Sequence, residues 1–76
     1  MRINMEHFTI KISKGVEGLW FIIEHETAIE HIRIFYQDDI GYFVVTDAGV
    51  VMACKSLKSL WRNRRHIGNT IIEDLA

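Results

Sequence analysis

Polar and apolar residues alternate over much of this chain. In His7-Phe8-Thr9-Ile10-Lys11-Ile12-Ser13 the apolar side chains Phe8, Ile10 and Ile12 take every second place. That period of two belongs to a half-buried β-strand, whose successive side chains point to opposite faces. Four more apolar-rich runs predict strands, so that the set covers roughly residues 7–13, 19–25, 29–36, 41–46 and 50–54. The breaks carry turn chemistry: two glycines in Lys14-Gly15-Val16-Glu17-Gly18, two aspartates and a glycine in Gln37-Asp38-Asp39-Ile40-Gly41, and Asp47-Ala48-Gly49, which suits a hairpin with glycine in a left-handed conformation. Glu26-Thr27-Ala28 is a weaker break, and a short helix over residues 24–31 is the alternative there.

After Lys55 the period changes. Leu57, Leu60, Trp61 and Ile67 recur at helical spacing, with Lys58, Arg62 and Arg65 on another face. Ser56 is placed to cap the helix N-terminus, and Gly68 to stop it. Thr70 and Glu73 have capping-box spacing for a last short turn. The expected fold is therefore α+β, a small antiparallel β-meander packed by one C-terminal helix. Phe8, Ile10, Ile12, Ile32 and Ile34 fill one sheet face. The second and fourth strands are apolar on both sides, Trp20 and Ile22 opposing Phe21 and Ile23, and Phe43 and Val45 opposing Tyr42 and Val44, so both faces should be covered. One helix covers one face. The other then needs the N-terminal segment, a second subunit or a bound partner.

Composition narrows the field. With 76 residues, 49% of them hydrophobic and 25% charged, the chain makes one small folding domain over residues 1–76. An uninterrupted apolar run of the length of Leu19 to Ile23, which no other run exceeds, is far too short to span a bilayer, and no signal segment is evident. Cys54, the single cysteine, excludes an intrachain disulfide and a cysteine-rich zinc site, and fits a reducing, cytoplasmic setting. Within an apolar strand it is expected to be buried and inert. The net charge of −1 hides a segregation: eight acids against four Lys/Arg through Asp47, then five Lys/Arg and no acid from Ala48 to Ile72. The basic helix face is a solvated surface or a footprint for an acidic partner. Against nucleic acid stand the acidic remainder and Trp61, expected to face the core.

The most chemically suggestive feature lies on the alternate positions of two strands. Lys11 and Ser13 on the first, and His31 and Arg33 on the third, can share one sheet face. Two cations, an imidazole and a hydroxyl suit a doubly charged oxyanion such as a phosphate ester. Plainer roles exist for each: Lys11 as an outward strand lysine, His31 as a structural histidine, Arg33 in a surface ion pair with Glu30 or Glu24. No cofactor is implied. His25 and His31 stand six apart, not the i, i+4 pair of a metal-binding helix, and no nucleophile motif or glycine-rich nucleotide loop points to an enzyme.

Over residues 8–67 the order of elements resembles an SH2 domain, the phosphotyrosine-peptide binding module. Phe8-Thr9-Ile10-Lys11-Ile12-Ser13 stands where the family has Phe-Leu-Val-Arg-Glu-Ser, and Gly15 to Gly18 takes the place of its phosphate-cradling loop. Ile29-Glu30-His31-Ile32-Arg33-Ile34 is similar to its Val-Lys-His-Tyr-Lys-Ile strand, Gly41-Tyr42-Phe43-Val44-Val45-Thr46 to its Gly-Gly-Phe-Tyr-Ile-Thr, and Ser56-Leu57-Lys58-Ser59-Leu60 to the Ser-Leu-x-x-Leu opening its second helix. The resemblance implies an antiparallel SH2-like fold and gives phosphotyrosine-binding roles to Lys11, Ser13, Lys14, His31 and Arg33. It also implies a peptide-specificity groove floored by Ile32 and bordered by Thr46, Asp47, Ala48 and Gly49, favouring apolar side chains.

Two departures carry consequences. Lysine replaces the arginine that grips the phosphate, exchanging a rigid two-pronged donor for a rotatable point charge, at about 1.5–3 kcal/mol if one strong contact is lost. Seven residues precede Phe8, too few for the first helix, which in the family covers a sheet face and supplies a second arginine; Arg2 is the candidate substitute. The expected function is a free-standing adaptor or competitor in signalling, acting by protein–protein interaction with tyrosine-phosphorylated proteins. The alternative is a dimerisation or partner-binding domain without phosphate recognition, with a homodimer formed through the uncovered sheet face.

Overall fold

The computed structural model describes residues 8–26 and 28–75, so His7 and Arg2 lie outside the described residues. The order is β1 (Thr9–Gly15), β2 (Gly18–His25), β3 (Ala28–Gln37), β4 (Gly41–Thr46), β5 (Gly49–Cys54), α1 (Leu57–Arg62) and α2 (Arg64–Leu75). The strands form one antiparallel sheet in sequence order. All five expected strands are present, and residues 28–31 are strand, not helix. Three turns place glycine at positive φ, which side chains disfavour: Gly18 at 126°, Gly41 at 102° and Gly49 at 119°. A Cβ at Gly41 would also run into the Cys54 carbonyl oxygen.

The helices cover one face of the sheet. Leu60, Ile67, Ile71 and Ile72 pack with Phe8, Phe21, Ile23, Ile34, Val44 and Cys54 into a single core. Cys54 is buried there, a free thiol. Ser56 caps α1 as expected, its Oγ accepting from the Ser59 N–H at 3.1 Å.

The helical region departs from expectation in four ways. There are two helices, not one. Asn63 separates them with φ −96° and ψ 10°, its N–H shared between the Ser59 and Leu60 carbonyls and its side chain donating to Ser59 O at 2.8 Å. Gly68 is no stop: it lies inside α2, where a Cβ would come within 2.8 Å of both Phe8 and Ile10. Glycine is there so that β1 and α2 can approach. Thr70 starts no new turn, but donates back to the His66 carbonyl at 3.0 Å. Finally, Trp61 does not face the core; it is 38% exposed, with the Arg64 guanidinium 4.1 Å from its ring centroid. Among the described residues, no helix is long and apolar enough to cross a membrane.

Candidate functional site

The sheet register decides which polar side chains meet. Lys11 stands opposite Ile22, which stands opposite His31; Ser13 stands opposite Trp20, which stands opposite Arg33. By alternation all four polar residues occupy the face away from the helices, at the corners of a patch whose middle is Ile22 and Trp20. Lys11 and His31 are two strands apart, about 10 Å between backbones, so long side chains can reach toward one another above the apolar floor. Lys14 is not part of this group. It pairs with Leu19 and falls on the helix side of β1. His25 also falls on the helix side, its Nε2 3.5 Å from Glu30 Oε1.

The electrostatics of the patch involve two residues that strand-by-strand reading passes over. Glu24 approaches Lys11 Nζ at 3.6 Å, with both side chains well exposed. Lys11 therefore carries an exposed carboxylate partner, with which an incoming anion would have to compete. Arg33 does not make the ion pair considered for it; its guanidinium carbon stands 5.6 Å from the Trp20 ring centroid. A Cβ at Gly18 would lie 3.1 Å from Arg33 Nη2, so the loop glycine leaves room for the guanidinium. Trp20, Ile22 and Glu24 alternate in β2. That pattern was visible in the sequence; their position between Lys11 and Arg33 needs the pairing register.

On the other side of β3 lies a groove of about 230 Å³ lined by Ile32, Val45, Thr46, Asp47, Ile71 and Asp74. Ile32, Thr46 and Asp47 belong to the expected groove. Ala48 instead sits in the adjoining turn with Asp47, its N–H donating to Thr46 Oγ1 at 3.2 Å, and Gly49 opens β5 opposite Thr46. Ile71 and Asp74 join the lining because α2 runs on past Gly68, where the sequence pattern places the end of a single helix. Asp74 Oδ2 accepts the Thr46 hydroxyl proton at 2.8 Å, which ties the end of α2 to the β4–β5 turn.

Patch and groove are separated only by β3. Residues Ala28–Ile34 pair with β2, but β4 pairs only with Ile34–Gln37. The β4 side of residues 29–33 is therefore a strand edge with no ladder partner among the described residues. His31 and Arg33 project to one face from this stretch, and Ile32 to the other. An extended chain crossing here meets both.

Compared with known proteins, the chain matches no family model, no curated protein and no solved structure.

Proposed function

We propose that this protein is a phosphotyrosine-peptide binding module of SH2-like design that works as an adaptor or competitor in cytoplasmic signalling. The observation that carries the reading is the edge of β3 over residues 29–33, which has no ladder partner among the described residues. It has Lys11, Ser13, His31 and Arg33 on one side and a groove floored by Ile32 on the other. A phosphate dianion gains charge-assisted hydrogen bonds from the ammonium and guanidinium groups. The ring that carries it has Trp20 and Ile22 for an apolar floor, and the following residues cross β3 toward the groove. With lysine at position 11 in place of a fork-shaped arginine, the grip is weaker and less directional. The reading thus describes a module of modest affinity.

Calorimetric titration with a phosphotyrosine peptide and its unphosphorylated twin tests it. The phosphorylated form is expected to bind at least tenfold more tightly, and Lys11→Ala to remove most of that difference. Equal binding of the twins rejects the reading. Amide shifts on adding phosphotyrosine should centre on residues 11–13 and 31–33.

One observation favours a second reading, a partner-binding or dimeric domain without phosphate recognition. The same face exposes Ile29 and Phe35, at 55% and 43%, with Phe35 stacked against Phe43 at 5.6 Å. Under that reading Lys11→Ala leaves partner binding intact.

A further inference from the structure

We propose that the outward surface of the helices, formed by Lys58, Trp61, Arg62 and Arg64, docks on a lipid bilayer rich in anionic headgroups. The proposal does not depend on the phosphotyrosine reading. These residues belong to the helices, which cover the opposite side of the sheet from Lys11, Ser13, His31 and Arg33.

Helical spacing builds the surface. Leu57 and Leu60 turn α1 toward the core, Leu60 fully buried and Leu57 packed against it. Lys58, Trp61 and Arg62 fall at i, i+3 and i+4 and so share another side of the helix, where all three are exposed. Beyond the break at Asn63, Arg64 returns to the same ring. Its guanidinium carbon lies 4.1 Å from the Trp61 ring centroid, and its Nη1 donates to the Trp61 carbonyl at 2.9 Å. Among the described residues Lys58, Arg62 and Arg64 form no salt bridge, and no acid occurs from Ala48 to Ile72. Arg65 is engaged differently: it donates to the Phe8 carbonyl at 3.0 Å and lies over the Phe8 ring, which ties α2 to the start of β1.

Three cations grouped around an exposed indole match a surface that offers negative charge and apolar matter at one level. An indole settles at the headgroup level of a bilayer, and lysines and arginines gain from the negative potential of anionic lipids there. Single-stranded nucleic acid fits less well. It is held by aromatic faces open for stacking and by a basic groove that follows the backbone, whereas Arg64 already covers one face of Trp61, and α1, with six residues, is only about 9 Å long. A solvated helix face accounts for the cations but gains nothing from the indole beside them. Since Leu57 and Leu60 are committed to the core, α1 cannot sink an apolar face into the bilayer. The contact is shallow, electrostatic and sensitive to salt.

Co-sedimentation with vesicles of phosphatidylcholine, alone or with about 30% phosphatidylserine, tests the proposal. The protein is expected to bind the anionic vesicles at about 0.1 M salt, to leave them toward about 1 M, and to ignore the neutral ones. Lys58→Gln and Arg62→Gln should each weaken binding about fivefold, the value of one cation near an anionic surface, and Trp61→Ala several-fold. Lys14→Gln, on β1 at the far edge of the sheet from β5, removes the same charge outside the patch and should leave binding nearly unchanged. Circular dichroism of each variant checks that it is folded. Absence of binding to anionic vesicles at low salt overturns the proposal, as does equal binding to neutral ones. A loss on Lys14→Gln as large as that on Arg62→Gln would trace the binding to overall charge and not to this surface. If a single-stranded oligonucleotide binds more tightly than the anionic vesicles at the same salt, and the same substitutions weaken it, the surface belongs to nucleic acid and the proposal fails.

Discussion

Lys11 is where the chemistry of one side chain decides most. Its ammonium stands 3.6 Å from the Glu24 carboxylate in an exposed pair, the kind worth about 0–1 kcal/mol to folding. Substitutions here should therefore act on binding and leave stability almost untouched. Lys11→Arg supplies a planar fork able to hold two phosphate oxygens. It is expected to tighten phosphotyrosine-peptide binding about tenfold or more, the value of one further charged hydrogen bond, with the urea midpoint unchanged. Glu24→Gln removes the carboxylate that competes for the ammonium and should raise affinity a few-fold in the same titration. A loss of affinity on Glu24→Gln would mean that the carboxylate orients Lys11 for binding and does not compete for it.

At the scale of an element, α2 and β1 approach each other through Gly68. Helix propensity alone predicts that Gly68→Ala stabilises the protein by about 1 kcal/mol. The Cβ would meet Phe8, buried in the core, and Ile10, partly buried against it, each at 2.8 Å, and overpacking costs about 1–3 kcal/mol. The contact should win, so the variant is expected to unfold at lower urea concentration; a raised midpoint would show that β1 shifts away freely. Gly68 also shows why the local pattern places the helix end too early. A glycine after a periodic stretch has the local signature of a stop, and the reason for its place in mid-helix comes from β1, far away in the chain. The same holds for Asn63, whose side chain competes for the Ser59 carbonyl, and for Trp61, whose partner Arg64 follows the break. The meander was legible because its turns depend on local chemistry, glycines at positive φ beside short polar stretches. Half of the candidate site was legible for a similar reason, since alternation alone places Lys11, Ser13, His31 and Arg33 on common faces of their strands. Ile22 and Trp20 between them, and Asp74 in the groove, follow from register and from how far α2 extends, which no local pattern encodes.

At the scale of the whole molecule, charge and apolar surface on the open sheet face oppose each other. Ile29 and Phe35 there gain from being covered, whatever the partner. Two copies meeting face to face would also bring Lys11 and Arg33 of one toward those of the other, with Glu24 offsetting only part of that repulsion. Such repulsion is long-ranged at low ionic strength and is cut to a few ångströms near 1 M salt. Apolar contact does not weaken in the same way. Sedimentation should therefore show a monomer at about 10 mM salt and growing self-association toward about 1 M. Phe35→Ser should suppress that association without changing the monomer, and phosphotyrosine should reverse it, because a ligand that binds only the open face draws the equilibrium toward free monomer. Self-association strongest at low salt and indifferent to Phe35→Ser would instead locate the contact elsewhere. The natural candidate is the basic surface of Lys58, Arg62 and Arg64, meeting the acidic end of α2 in a second copy.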